Sequence, residues 1–520
     1  MPPRSKSSLH CLSKSLYIRG LQCHKALYFE KHCPTLKDEP AADAKARFAA
    51  GNQVGDLARD LFPGGVLIPY VKGDFATQLK QTSDAMASGN KVIHEASFEH
   101  DGTIVKVDIL RKVAKGWQIY EVKSGTALKE VYEHDAALQY FVLSGAGIPV
   151  TKVYVVHINS EYQRRGELDL AQLFTIVDVT KEAKALQAGI AKEIAAQRKM
   201  LAGKKPPKID IGPHCSTPYD CDFSGHCWQH IPEESVFDLR GKGVDKFELY
   251  RNGMVALKDV PLDLLDGKQR QQAEAAAKKK VIVDRERLRE YLDQLWHPLC
   301  FLDFETFQSP VPPYDGLRPY QQVPFQYSLH YQKRRNGKLY HREFLAAPAT
   351  DPRKEFVERL LADIPEGACI LAYNKSFEIG RLKELAEHFP KYRKKIQAII
   401  DNVVDLIDPF RQRMIYSWKQ RGSHSIKQVL PAFVKGMSYE GMVIADGGEA
   451  MEAYHGMCAL VDRPEELAEL RQALLVYCRK DTLAMVRLVE VLEKVLSGYE
   501  TFTWGFMTQQ FQDSQVTITS

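Results

Sequence analysis

Polar and apolar residues alternate, with β-branched side chains prominent, over 66–68, 94–98, 103–111, 117–123 and 152–157, as strands require. Around them apolar residues recur at three- and four-residue spacing, which predicts helices over 13–30, 41–61, 132–143 and 180–201. A loop rich in Lys, Pro and Gly follows over 202–225. The second half opens on an apolar strand at 299–304, then a hairpin of 325–331 and 339–344 joined through Asn336-Gly337. A helix (352–363), a strand (369–373), a helix (377–387) and a long closing helix (465–496) complete it. Strands first and alternating helices after them imply layered α/β domains. Between the halves, 233–296 reads as a hydrophilic helical connector with a linker-like stretch at 267–280. The expected domains are therefore 1–232, 233–296 and 297–500, with 501–520 as a polar tail.

Composition narrows the class. A chain of 520 residues has room for about three domains with real cores. The net charge of +5 says little, but basic clusters at 204–205, 278–280, 333–335 and 393–395 could track phosphates or simply face solvent. No apolar run approaches the ~18 residues of a membrane span, and residues 1–15 are polar and basic, unlike a secretory signal. A cytoplasmic location with no membrane partner is the expectation. In that compartment ten cysteines are not a disulfide framework and need another explanation.

The clearest chemistry is split over three segments of the second half. Phe301-Leu302-Asp303-Phe304-Glu305-Thr306 puts Asp303 and Glu305 on one face of an apolar strand. Asn374-Lys375-Ser376-Phe377-Glu378 adds a third acid. Tyr477-Cys478-Arg479-Lys480-Asp481 adds a fourth, with Tyr477 one helical turn before it. Acids from several elements suit a pair of divalent ions, Mg²⁺ or Mn²⁺, cleaving a phosphodiester. These motifs resemble those of the DnaQ-like exonucleases of the RNase H-like superfamily, in the branch with a tyrosine in its third motif. The resemblance covers about 200 residues of the chain and implies a mixed-sheet domain. It implies Asp303, Glu305, Glu378 and Asp481 as metal ligands and Tyr477 as the residue that orients water or phosphate. The family usually has aspartate where Glu378 stands. Asp405 sits where such domains often carry a supporting acid.

A second set lies in the first half. Asp108 is near the end of one strand, and Glu121 and Lys123 share a face of the next. Such a set can hold metal while the lysine ammonium stabilises developing charge. Glu95 on a neighbouring strand could add an acid, and Gln139 on the following helix could hold substrate or water. This pattern resembles the RecB-type branch of the PD-(D/E)XK nucleases, with a restriction-endonuclease-like fold implied. It departs from it in having no histidine in Asn52-Gln53-Val54-Gly55-Asp56, and in placing Tyr140 directly beside the glutamine.

Cys215, Cys221 and Cys227 are separated by five residues each and lie far from Cys23. Thiolates bind soft metals and iron–sulfur clusters. One early cysteine and three late ones resemble the iron–sulfur members of the RecB-type nucleases, which implies a 4Fe–4S cluster stapling the domain; a zinc site is the alternative. Cys11 and Cys33 compete with Cys23 as fourth ligand, while Cys300, Cys369, Cys458 and Cys478 lie in apolar patterns and read as core. Together these resemblances imply a metal-dependent deoxyribonuclease acting from DNA ends, in repair or in defence against foreign DNA. An exoribonuclease and a nucleic-acid-binding scaffold with one active site are the alternatives. With no P-loop motif in the chain, unwinding falls to a separate helicase, and defence proteins are further expected partners.

Overall fold

A computed structural model of the chain describes residues 11–40 and 42–497. The tail expected over 501–520 lies outside them. The chain is mixed α/β and divides into two compact units, residues 1–230 with 309–321, and residues 231–308 with 322–520. Among the described residues no helix is long and apolar enough to cross a membrane.

The first unit is built on one sheet. Its strands are β1 (Leu12–Ser13), β2 (Val66–Leu67), β3 (Val92–His100), β4 (Thr103–Val113), β5 (Gly116–Lys123), β6 (Val150–Ile158) and β7 (Phe174–Asp178). The order is β2-β3-β4-β5-β6-β7. β4 and β5 pair antiparallel only from Ile109↔Tyr120 to Val113↔Gly116 and then part. β1 takes up the freed edge of β4, running parallel to it at Thr103 and Ile104. The helices are α1 (Lys14–Gln22), α2 (His24–His32), α3 (Ala42–Ala58), α4 (Phe75–Ala87), α5 (Glu130–Gly145), α6 (Thr180–Ala185) and α7 (Gln187–Leu201). The main core gathers Leu12, Ile93, Val107, Ile119, Leu138 and Val155 from strands and α5.

Three local readings change. The helix expected over 13–30 is two helices, α1 and α2, broken at Cys23, whose φ of −162° and ψ of 115° are extended. α4 was hidden because the side chains it buries include Gln78 and Thr82, so it shows no apolar stripe. β7 was hidden because it is an edge strand that leaves Ile176 exposed.

The second unit carries a five-stranded sheet of order β11-β10-β9-β12-β13. Its strands are β9 (Leu299–Phe307), β10 (Val323–Gln332), β11 (Leu339–Leu345), β12 (Cys369–Ala372) and β13 (Val403–Asp405). β9 is central, antiparallel to β10 and parallel to β12. A short ribbon pairs β8 (Val281–Val283) with β14 (Ile415–Ser417). The helices used below are α8 (Gly267–Lys278), α9 (Arg353–Asp363), α10 (Ser376–His388), α11 (Ile426–Phe433) and α12 (Pro464–Leu496). α12 buries Leu474, Tyr477, Cys478, Asp481, Met485 and Leu488, a continuous stripe at helical spacing.

The connector expected over 233–296 belongs to this unit. α8 has the linker-like composition, yet Asp266 and Gln269 form a capping box at its start and Ala273, Ala275 and Ala276 are buried. Small side chains allow close packing without an apolar signal in the sequence. Tyr291 donates to the Asp405 carbonyl at 3.0 Å and so ties the segment to β13.

Candidate active sites

In the second unit β9 places Asp303 and Glu305 in one cleft with Glu378, Tyr477 and Asp481; Tyr373, Asn374 and Lys427 also line it. Each element has a reason to be there. β9 is apolar, with Phe301, Leu302 and Phe304 buried, so the strand is fixed in the core and its acids are held rigidly. The Asn374 turn has φ +75°, and its N–H donates to Asp405 Oδ1 at 2.9 Å. That turn starts α10, which carries Glu378 in its first turn. Asp405, expected as a supporting acid, therefore acts on backbone: it also accepts from the Ile407 N–H at 3.2 Å. Oxygens of Asp303 and Glu305 and the Cys478 sulfur lie within 4.8 Å of one another.

Glu305, Glu378 and Asp481 are all buried, and among the described residues Glu378 Oε2 and Asp481 Oδ2 have no hydrogen-bond partner. Burial, then Asp481 and Glu305, push the Asp303 carboxyl well above the usual range. Glu305 is raised by burial and Asp481, against the pull of Lys427. Burial lifts Glu378 to about 8 and Asp481 to about 6. Clustered, desolvated carboxylates with unpartnered oxygens are a donor set that fits divalent cations.

Acids raised above their unfolded values of 3.8 and 4.5 stabilise the metal-free fold at low pH, and that contribution is lost as pH rises through about 6 and about 8. Metal must displace those protons. The rise in Tm on adding Mn²⁺ should therefore be larger at pH 8 than at pH 6. Thermal unfolding of the full chain with Mn²⁺ and with EDTA measures it, and an equal rise at both pH values would contradict the ligand set.

Two residues of this site escaped the sequence. Tyr439 donates to Asp481 Oδ1 at 2.5 Å. Lys427, the second residue of α11, faces Glu305 and Asp481 and lowers both carboxyls. Neither has a neighbouring motif that would have marked it.

In the first unit the site sits where β4 and β5 part. Beyond the last β4–β5 pair, the Val122 N–H donates to Asp108 Oδ2 at 2.7 Å. Glu121 is buried, with Lys123 Nζ at 2.8 Å from its Oε1. Gln139 on α5 donates to the other oxygen of Glu121. The structure thus brings Asp108, Glu121, Lys123 and Gln139 together. Glu95 stands opposite Asp108 on β3, at φ +59°, but its carboxylate is taken by Lys106 at 2.9 Å. Burial and Glu121 push Asp108 up to about 7. Burial would raise Glu121 too, but Lys123 and Lys14 outweigh it and hold the carboxyl at about 2.

Lys14 and Asp135 were missed here. Lys14, the first residue of α1, approaches Glu121 Oε1 at 2.5 Å, so two ammoniums hold one carboxylate. Asp135 pairs with Lys123. Asp135 is one helical turn before Gln139 and could have been read from that spacing; nothing in the sequence around Lys14 points to a residue more than a hundred positions away.

Cys23, Cys215, Cys221 and Cys227 line one pocket. The break between α1 and α2 at Cys23 presents its thiol there. The Cys221 N–H donates to the Cys215 carbonyl at 2.8 Å, closing the loop between them. Burial, offset in part by a backbone hydrogen bond, pushes the Cys221 thiol up to about 11, with Cys23, Cys215 and Cys227 acting in the same direction. Cys11 and Cys33 do not line this pocket. In the second unit Cys300, Cys369 and Cys478 are buried as expected, but Cys458 is exposed. Its helix, Gly447–Ala459, turns Ala450, Tyr454 and Met457 inward, and Cys458 falls on the next face round.

Residues 300–425 match the family model of a domain of unknown function, DUF2779. That segment holds Asp303, Glu305 and Glu378 and stops before Tyr477 and Asp481. The chain is 27% identical over 221 residues to the uncharacterized protein MG366 of Mycoplasma genitalium, covering 39% of this chain and 33% of that protein. It is 28% identical over 249 residues to the MG366 homolog of Mycoplasma pneumoniae, covering 45% and 36%. To the uncharacterized protein UU173 of Ureaplasma parvum it is 25% identical over 222 residues, covering 38% and 31%. The chain thus spans about a third of the length of the curated relatives it matches.

Proposed function

We propose that the second unit is a divalent-metal-dependent exonuclease of the DnaQ-like type, and the first a RecB-type PD-(D/E)XK nuclease domain with a cysteine-bound cluster. One observation carries this reading: Asp303, Glu305, Glu378 and Asp481, drawn from three segments, meet in a single cleft with buried oxygens that lack partners. Those four acids would hold Mg²⁺ or Mn²⁺, which when bound supplies an activated water and stabilises the leaving oxygen. Tyr477, buried beside Asp481, has its hydroxyl pushed up by burial and the surrounding acids, so it stays protonated and can donate to water or phosphate. Tyr439 and Lys427 orient Asp481 and limit repulsion among the acids. The substrate is a nucleic acid, DNA with an end, in repair or in defence against foreign DNA.

Four thiols lining one pocket suit a thiolate-bound group, which we read as a 4Fe–4S cluster with zinc as the alternative.

The Lys14–Glu121 pair favours a second reading of the first unit, as a domain that holds a strand without cutting it, because its charges are already balanced. Full chain assayed on labelled single- and double-stranded DNA and RNA, with Mg²⁺, Mn²⁺ or EDTA, tests both. DNA cleavage that EDTA abolishes is expected. Lys123→Ala should lower the first site's share by ~10²–10³. Cleavage of RNA alone would make the protein an exoribonuclease. A Lys123→Ala variant that cuts like the native chain on every substrate, together with loss of all cleavage in Asp303→Ala alone, would make the first unit a binding domain.

A further inference from the structure

We propose that Cys478, with Asp303, Glu305 and Asp481, forms an inhibitory Zn²⁺ site in the second unit. This rests on reading that unit's cleft as a metal site. Cys478 stands on α12, three residues before Asp481, a spacing that keeps both side chains on one side of the helix. The residue is fully buried. Its sulfur lies 3.9 Å from Asp303 Oδ2 and 3.9 Å from the Asp303 carbonyl oxygen. With one oxygen each from Asp303 and Glu305 it makes a set whose three donors all lie within 4.8 Å of one another. Cys300 is buried on the same strand as those acids, but an odd number of residues from Asp303, so it faces the other side of β9.

A second observation supplies the fourth donor. Asp481 is buried, one of its oxygens accepts from Tyr439, and the other has no hydrogen-bond partner among the described residues. Mg²⁺ takes oxygen donors and keeps several waters. A thiolate instead selects soft ions such as Zn²⁺. Zinc bonds of ~2.3 Å to sulfur and ~2.1 Å to a carboxylate hold those donors about 3.6 Å apart. The 3.9 Å between Cys478 Sγ and Asp303 Oδ2 therefore needs only a small shift. On binding, the thiol proton passes to water and a sulfur–zinc bond forms. One sulfur and three carboxylates make a closed four-donor set, which leaves no position for a water to be activated. It also takes Asp303 and Glu305 away from the ions that support cleavage.

The test uses the full chain carrying Lys123→Ala as parent, so that the second unit does the cutting. Cd²⁺ is the probe for thiolate ligation, because cadmium thiolates absorb in the ultraviolet. Parent, Cys478→Ala, Cys478→Ser and Asp303→Ala chains are titrated with Cd²⁺, and difference spectra cancel the four thiols of the first unit. The parent should show an extra charge-transfer band that all three variants lack. Asp303→Ala keeps the thiol and removes a carboxylate, so it tests the site even where a change at Cys478 unsettles α12. Cleavage with Mn²⁺ is then measured against added Zn²⁺, each chain scored against its own rate without zinc. Half-inhibition should need at least ~10²-fold more zinc in Cys478→Ala and Cys478→Ser, since removing even groups outside a ligand shell costs 10–100-fold in affinity. The same spectrum in the parent and both Cys478 variants overturns the site, as does equal inhibition by zinc. If Mn²⁺ supports cleavage and the cadmium band is absent, the thiol ligand alone falls. If the parent responds to neither ion, the metal reading of the cleft falls and the zinc site with it.

Discussion

Asp303→Ala should abolish metal-dependent cleavage by the second unit, by at least ~10³-fold, because a lost ligand forfeits several kcal/mol of transition-state stabilisation. The fold should survive. Asp303 is half-buried among acids that repel it, so its removal relieves the metal-free protein rather than opening a core. The variant should therefore unfold in EDTA at the native Tm or above it, while losing the rise in Tm that Mn²⁺ gives the native chain. Nuclease assays of a Lys123→Ala background with and without Asp303→Ala isolate the effect. Native rates with a native Mn²⁺ response would remove Asp303 from the ligand set.

Cys221→Ser should bleach the protein. Anaerobically purified native chain is expected to be brown, absorbing near ~400 nm through thiolate-to-iron charge transfer. Cys221 is the informative position because the other three thiols all act on its sulfur. Loss of a structural metal group belongs to the most damaging class of substitution, on the order of 4 kcal/mol or more. The variant should lose iron and show a lower Tm for the first unit, with cleavage by the second unit unchanged. A colourless native protein with one zinc and no iron per chain would replace the cluster by a zinc site.

Much of this was legible because the informative residues lie in regular elements. β9 is so apolar that Asp303 and Glu305 stand out, and the four-residue step from Tyr477 to Asp481 fixes one helix face. The acids of the first unit were legible for the same reason, from β4 and β5. What stayed hidden depended on distance in sequence. Lys14 reaches Glu121 across 107 positions, and Tyr439 reaches Asp481 from a segment outside any labelled strand. The helix break at Cys23 was hidden because helix formers such as Leu21, Gln22 and Lys25 stand on both sides of it. Glu95 read as an acid of the site because its strand precedes those of Asp108 and Glu121; its pairing with Lys106 is a side-chain contact that alternation along a strand does not predict.

The first unit is completed by residues 309–321, which arrive from the second half of the sequence. Tyr320 from that segment bonds to the residue after Lys123, and Val311 and Tyr320 pack on the Tyr120 and Val156 core. During synthesis this has a kinetic meaning. The ribosome finishes residue 230 about ninety residues before it supplies Gln321, a wait of roughly 5–20 s at ordinary elongation rates. For that interval the nascent first unit lacks its closing segment, and the apolar surface that Val311 and Tyr320 cover is open to water.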